Sequence, residues 1–216
     1  MGAMNRKGRE DMANHEVRVP RQKRAQAKKD AIVQASYALF CEKGYYGTNT
    51  AEIAKRAGVS TGIVYSYFQD KKDILNEVVR LYLARLREGA RPLLAAAASG
   101  EELAAVTGRF LDLVLDSHQM NRAAHNEFLA LALRHEDIGQ LFAAFEDELL
   151  HSLAAALQER RGLPGGQLVE KLRIGYGIVE QLCHDVMNGR INEKDWPAMK
   201  AIAVSVIVRL LEAPAP

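Results

Sequence analysis

The sequence predicts an all-α fold in which a small N-terminal three-helix domain precedes a larger helical domain. Apolar residues recur at intervals of three and four through most of the 216 residues, which is the spacing of one buried helix face. Proline is scarce, at six residues, and no stretch shows the strict alternation of a half-buried strand. These observations together favour helices throughout.

One stretch, residues 48–75, sets the organisation of the chain. Asn49 is a good N-cap for a short helix, and Glu52 three residues later can complete a capping box. Gly58 then supplies the positive φ of a sharp turn, and Ser60 begins a second short helix. Two short helices joined by a glycine-containing turn form a helix-turn-helix, whose second helix suits the major groove of DNA.

Helices are also predicted on both sides of this unit. A first helix spans 21–43 and ends at Gly44, and the fourth runs from Asp70 to about Ala98 with a kink at Pro92. Five more helices follow, at about 101–118, 122–134, 138–161, 167–188 and 193–211.

The charge of the chain differs between its N-terminal part and the remainder. The net charge of +2 conceals a basic front, with 14 Lys/Arg against 8 Asp/Glu in residues 1–75, and an acidic remainder, with 15 against 19. A basic front suits contact with a polyanion through one end of the protein. We therefore predict a disordered leader at 1–20, a helix-turn-helix DNA-binding domain at 21–70 and a helical effector-binding and dimerisation domain at 71–216.

The sequence lacks the signals that would indicate a metalloprotein, an enzyme, a secreted protein or a membrane protein. Cys41 and Cys183 have no metal-ligand spacing and are expected to pack in the core of a protein from a reducing compartment. His118 and His125 are separated by a predicted helix break near Met120, so no metal site, cofactor or catalytic residue is predicted. The chain shows no secretory segment and no membrane-length apolar run, and we expect a cytoplasmic protein that is not an enzyme.

The helix-turn-helix and its flanks also carry a family motif. Its order is Phe40-x3-Gly44-Tyr45-x2-Thr48, then Ile53-Ala54-x2-Ala57-Gly58-Val59-Ser60-x-Gly62-x2-Tyr65-x-Tyr67-Phe68-x2-Lys71. Over roughly residues 25–75 this order resembles the TetR family of bacterial transcriptional regulators. The resemblance implies a homodimer that binds a pseudo-palindromic operator in double-stranded DNA and releases it when its helical core binds a small molecule.

The resemblance further implies which residues contact DNA. By their position in the motif, Thr61, Gly62 and Tyr65 are expected to face the bases. Ile63 stands where a small polar residue is common, and it either meets a thymine methyl group or packs inside the protein. The other implied DNA contacts, of which all but Asn49 are assigned to phosphates, come from Thr48, Asn49, Ser60, Ser66, Tyr67 and Lys71.

The helix predicted at 167–188 shows two apolar seams, one position apart. One seam steps by four and three residues from Leu168 to Val186, and the other from Val169 to Met187. A helix that is apolar on two sides is buried on two sides. We expect one seam to face the protein's own core and the other, with the last helix, to face a partner subunit across a two-fold axis. Which seam faces which way stays open.

An apolar pocket for a small hydrophobic ligand is expected among the helices of residues 101–162 and the inner seam. If two acids project into the pocket, a lipophilic cation is the natural ligand. The alternative is that these aromatic residues are ordinary core. The candidate ligand-binding residues are Phe110, Val114, His118, Phe128, Phe142, Phe145, Tyr176 and Glu180.

Two other functions stay open at this point. The C-terminal domain of such a DNA-binding protein can bind a protein partner instead of a small molecule. A tightly filled core would favour that role, whereas an enclosed apolar cavity with one or two buried acids would favour an effector. The other possibility is a helical enzyme or cofactor carrier whose helix-turn-helix is incidental. Such a protein would not bind a palindromic DNA fragment specifically.

Overall fold

The computed structural model describes residues 21–120, 122–163 and 167–214, and the predicted leader at 1–20 lies outside them. Within these ranges the chain forms helices and no strand, which confirms the all-α fold. No helix in the described part is both long and apolar enough to cross a membrane. The helices are α1 (Arg21–Lys43), α2 (Thr50–Ala57), α3 (Thr61–Tyr67), α4 (Lys71–Ala98), α5 (Leu103–Met120), α6 (Arg122–Ala132), α7 (Glu136–Arg161), α8 (Leu168–Met187) and α9 (Trp196–Glu212).

The helix-turn-helix of α2 and α3 begins and ends where its capping residues predict. The Asn49 side chain accepts a hydrogen bond from the Glu52 N–H at 3.0 Å, and the Glu52 carboxylate accepts one from the Asn49 N–H at 3.3 Å. Gly58 ends α2 with a φ of 68°, and Ser60 then caps α3 by accepting from the N–H of Ile63. Local hydrogen bonds therefore fix the bounds of both short helices.

The described helices pack into two hydrophobic cores that share the long helices α4 and α7. The first core contains α1–α3 and the first half of α4, and α6 and the start of α7 complete it. Phe128 of α6 is fully buried there, with its ring centre 5.8 Å from that of Tyr37 and 5.2 Å from that of Tyr82. The second core contains α5, α8 and α9 with the ends of α4 and α7. The helices α1–α3 therefore depend on α6 for their packing.

The helix bounds predicted from the sequence agree best with the structure in the N-terminal half and least well at the start of α9. That helix begins at Trp196 instead of near 193, with Pro197 in its first turn, a position that costs no helical hydrogen bond. Gly189, at a φ of 71°, opens the turn that precedes it. Pro92 lies within α4, which continues to Ala98.

Both predicted seams of α8 face helices of the same chain. Gly175 and Val179 of the first seam are buried in the second core, and Tyr176 and Glu180 of the second seam face α4, α5 and α7. The expectation that one seam is left for a partner subunit is therefore wrong. The large apolar side chains that α8 and α9 leave exposed lie on another face, with exposed fractions of 57% for Ile174, 61% for Ile202 and 46% for Val206.

Candidate DNA-binding surface and ligand cavity

One face of α3 is exposed while the other packs into the first core. Val64 is fully buried, and Ile63 and Tyr67 pack against the core at half-buried positions. Of the two roles open to Ile63, the structure therefore supports packing. The exposed face of α3 consists of Thr61, Gly62, Tyr65 and Ser66.

Tyr65 and Gly62 give this exposed face its shape. Tyr65 is 55% exposed, and its hydroxyl donates to Thr50 Oγ1 at 3.4 Å. A Cβ atom added to Gly62 would meet only Ser60 Oγ, at 3.9 Å, so packing within the protein does not require a glycine there. Because residues three apart are neighbours on a helix, the missing side chain leaves a gap beside Tyr65. The edge of a base pair can approach the backbone through that gap.

Polar caps at the start of α2 and α3 add a second element to this surface. Asn49 and Ser60 are exposed at these two N-termini, where N–H groups without helical partners and the helix dipole attract phosphate. Ser66, near the end of α3, instead donates its hydroxyl hydrogen to the Ile63 carbonyl at 2.7 Å. These three predicted DNA contacts are exposed on the helix-turn-helix.

Two predicted phosphate contacts, Thr48 and Lys71, are turned towards the protein's own backbone. Thr48 is buried, and its hydroxyl donates to the Gly44 carbonyl at 2.9 Å. The Lys71 ammonium donates to the carbonyls of Tyr45 and Thr48, each at 2.8 Å, and burial lowers its pKa. Since two of its three donors are already bound, Lys71 holds the turn between α1 and α2 in place.

The same turn is attached to α6, and the start of α4 that holds it is attached to α7. The Tyr45 N–H donates to the Glu127 carboxylate of α6 at 2.5 Å. Next to Lys71, the Lys72 ammonium pairs with Asp137 of α7 at 2.9 Å. A displacement of α6 or of the start of α7 would therefore move the turn that precedes the helix-turn-helix.

A cavity of about 190 Å³ lies between α4, α5, α7 and α8. Its wall is mostly apolar, and the predicted polar candidates His118 and Glu180 belong to its lining. Residues of α4, among them Tyr82 and Gly89, form a further wall that was not predicted, because the pocket was expected among the helices of residues 101–162 and the inner seam. The predicted ligand residues that line this cavity are Phe110, Val114, His118, Phe145, Tyr176 and Glu180.

The other two predicted ligand residues, Phe128 and Phe142, lie elsewhere. Phe128 is enclosed in the first core, and Phe142 packs against that core with its ring centre 6.2 Å from that of Tyr82. Helical spacing alone could not distinguish residues that line the cavity from residues of the core, because the aromatic residues of both follow the same apolar stripe.

Three histidines and a glutamate converge beside the cavity. His118 Nε2 lies 3.2 Å from Glu180 Oε2, and His125 Nε2 lies 2.9 Å from His184 Nε2. The rings of His118 and His125 have centres only 4.0 Å apart. The expectation that the helix break separates these two histidines is wrong, because α6 folds back after α5 and directs both rings to the same place.

Burial and mutual contacts set the charges of this cluster. Burial acts to lower the pKa of His118, but the hydrogen bond and the charge of Glu180 outweigh it and raise that pKa. Burial acts to raise the pKa of Glu180, but hydrogen bonds from His118 and Tyr176 lower it. Burial, together with the charge of His118, lowers the pKa of His125 to about 4. The contacts of the cluster therefore favour the charged forms of His118 and Glu180 and the neutral form of His125.

Comparison with known proteins supports the resemblance seen in the motif. Residues 32–78 match the family model for bacterial regulatory proteins of the tetR family. Over 140 residues the chain is 33% identical to the HTH-type transcriptional regulator BetI of Cronobacter sakazakii, a match that covers 63% of this chain and 67% of that one. BetI of Yersinia pestis is 33% identical over 103 residues, which are 48% of this chain and 52% of the relative. The chain thus spans between about half and two thirds of these relatives, which are named regulators and not enzymes.

Solved structures extend the likeness to the whole fold. A Mesorhizobium loti protein described as a TetR-family transcriptional regulator superposes with a TM-score of 0.70 at 21% identity, covering 87% of this chain and 98% of that chain. The multidrug binding protein EbrR, in complex with imidazole, superposes with a TM-score of 0.62 at 21% identity, covering 88% and 92%. At such identities the likeness shows the shared fold.

Lys71→Met should lower the free energy of unfolding by about 1–3 kcal/mol, because two carbonyls of the α1–α2 turn lose a charged donor. Urea denaturation measures this change. The matched control is Lys72→Met, which removes only a largely exposed ion pair with Asp137 and should destabilise the protein less than Lys71→Met does. If stability is unchanged and only the salt dependence of DNA binding falls, Lys71 contacts a phosphate and does not hold the turn.

Proposed function

Because this chain belongs to the TetR family of bacterial transcriptional regulators, we propose that it is a dimeric repressor that leaves its operator when a small hydrophobic molecule binds it. The observation that carries the proposal is the path of α4. This helix walls the ligand cavity with Tyr82 and Gly89 and begins at Lys71, directly after α3. Since the operator is bacterial DNA, the proposed location is the cytoplasm.

In this proposal the exposed face of α3 enters the major groove. Thr61 and Tyr65 offer hydroxyl groups to base edges, and Gly62 permits close approach. Two hydroxyl groups can distinguish bases only modestly, because a hydroxyl cannot form the bidentate hydrogen bonds by which larger polar side chains recognise a single base. Part of the sequence preference therefore comes from the shape of the DNA. The polar caps Asn49 and Ser60 contact phosphates and set the register.

Tyr65→Ala should weaken operator binding by about 1–3 kcal/mol, because it removes the largest side chain of the exposed face. The measurement is a gel shift or anisotropy titration with the operator fragment at a fixed salt concentration. Leu133→Ala, at an 85% exposed position between α6 and α7, serves as control and should bind like the wild type. Wild-type affinity in a folded Tyr65→Ala protein would contradict the role assigned to Tyr65.

The dimer is proposed to form through the exposed apolar face of α8 and α9. Ile174, Ile202 and Val206 are large apolar side chains left in solvent on these adjacent helices. Apolar patches of this kind mark interaction surfaces, and a two-fold axis would set the patch against itself. A symmetric dimer would then present two α3 helices to successive major grooves of a pseudo-palindromic operator.

Ile202→Asp should convert the dimer to a monomer, because it places two like charges in an apolar interface close to the two-fold axis. Light scattering coupled to size exclusion measures the mass, and operator affinity should fall with it. The matched control Leu133→Asp adds the same charge at an exposed position outside α8 and α9 and should leave the mass unchanged. A dimeric Ile202→Asp protein would exclude this face as the interface.

The cavity favours a small hydrophobic effector over a protein partner. It is mostly apolar, and Phe110, Val114 and Phe145 belong to its wall. The one carboxylate in its lining, Glu180, is already paired with His118, while Glu146 pairs with Arg173. A lipophilic cation was expected if two acids project into the pocket, and the described lining provides one. The name of EbrR, a multidrug binding protein of the same fold, fits this ligand class.

Two helices can transmit ligand binding to DNA. A ligand that expands the cavity pushes on α4, whose first residue, Lys71, donates to the Tyr45 and Thr48 carbonyls of the α1–α2 turn. It also pushes on α5, which leads directly into α6, and Glu127 of α6 binds the N–H of Tyr45. Both routes end at the α1–α2 turn, so the ligand changes the relative positions of the two α3 helices in the dimer.

A screen of small hydrophobic molecules by thermal shift should find ligands that raise the melting temperature of the wild type. Val114→Phe should remove that shift, because the larger ring fills the cavity that the ligand occupies. Leu133→Phe is the matched control and should respond like the wild type. A ligand that also releases the operator supports the repressor mechanism; shifts of equal size in Val114→Phe would place the ligand outside the cavity.

A further inference from the structure

The cluster of His118, His125, Glu180 and His184 is required neither for DNA binding nor for an apolar ligand. We propose that these four residues form a binding site for a divalent transition-metal ion of the zinc class. Each residue supplies one ligand atom, Nε2 from the histidines and a carboxylate oxygen from Glu180. The site is independent of the proposed repressor function, since a regulator with any other effector would retain it.

The donor set matches the chemistry of zinc-class ions. Imidazole nitrogen and carboxylate oxygen are the ligands that Zn²⁺, Co²⁺ and Ni²⁺ share, whereas Mg²⁺ and Ca²⁺ prefer oxygen alone. Among the described residues the four ligand atoms all lie within 4.8 Å of one another, and His118 and His125 are buried. Three histidines therefore select against the hard cations that are more abundant in cells.

The separations between ligand atoms suit a single small ion. Ligands of a tetrahedral zinc ion lie roughly 3.3–3.4 Å apart, given bonds of about 2.0–2.1 Å. The measured separations are 2.9 Å between His125 and His184, 3.2 Å between His118 and Glu180, and 3.9 Å between His184 and Glu180. The other pairs of ligand atoms lie within 4.8 Å of one another, so one ion between them is in reach of all four side chains after they adjust their rotamers.

The fold supplies these ligands from three helices. Glu180 and His184 are four residues apart on α8 and so share one face of that helix. His118 is in the last turn of α5 and His125 in the first turns of α6, and the fold-back between these helices brings them opposite α8. An ion bound here would join α5, α6 and α8.

Hydrogen bonds behind the ligands orient two of the rings. His118 Nδ1 lies 2.8 Å from the Val114 carbonyl, which can only accept, so Nδ1 carries a proton and Nε2 points into the cluster. A bound metal ion would replace the Nε2 proton that His118 otherwise donates to Glu180. His125 Nδ1 lies 3.4 Å from the Tyr82 hydroxyl of α4. Partners of this kind fix ring orientation in metal sites.

The simpler alternative is a hydrogen-bonded polar cluster without a metal. It accounts for the His118–Glu180 pair, but it requires one proton between the two Nε2 atoms of His125 and His184, since two lone pairs would otherwise face each other at 2.9 Å. A metal ion accepts both lone pairs at once. The alternatives differ in whether the protein binds metal.

The test uses the full chain without a histidine tag, treated with EDTA and dialysed. Zn²⁺ is titrated in competition with a chromophoric chelator, and Co²⁺ binding is followed through its visible absorption bands. We expect one ion per chain with a Kd of about 1 μM or below. His184→Ala and Glu180→Gln should weaken binding at least about tenfold. His151→Ala, which removes an exposed histidine of α7, is the matched control and should bind like the wild type.

Thermal melting without metal shows whether each variant is folded, and Glu180→Gln keeps the size of the side chain in case His184→Ala does not fold. Zn²⁺ should raise the melting temperature of the wild type and not that of the two variants. Absence of stoichiometric binding in the wild type would overturn the proposal. So would equal binding in Glu180→Gln and the wild type, or an equal loss in His151→Ala.

Discussion

The turn between α1 and α2 is the point on which the arrangement of the DNA-binding helices depends. Its backbone is held from two sides, because the Tyr45 N–H donates to Glu127 while the Tyr45 and Thr48 carbonyls accept from Lys71. Buried backbone groups that lose such partners cost free energy, so the turn cannot move independently of α4 and α6. The helix-turn-helix is therefore positioned by helices that also border the cavity and the histidine cluster.

This arrangement makes α6 a structural part of both halves of the molecule. Phe128 completes the first core, Glu127 binds the α1–α2 turn, and His125 reaches the cluster beside the cavity. Within four residues one short helix thus joins the core, the turn and the cluster. A ligand or an ion that shifts α6 would act on the DNA-binding helices through packed side chains, and such coupling requires no contact between ligand and DNA.

The short-range features of the fold were predictable from the sequence. Asn49, Glu52, Gly58 and Ser60 act on neighbours within five residues, so their capping roles and the bounds of α2 and α3 follow from local chemistry. Six of the eight predicted cavity residues also line the cavity, because the aromatic and polar positions of α5, α7 and α8 face inward together.

The sequence by itself determined the all-α class, the helix-turn-helix and its exposed residues, because these depend on local hydrogen bonds and on helical spacing. Only the tertiary structure decided the direction of Lys71, the burial of Phe128 and the meeting of His118 with His125 and His184. Each of these depends on contacts between residues far apart in the chain. The periodicity of one helix shows which of its faces is apolar, but it does not show which other helix covers that face.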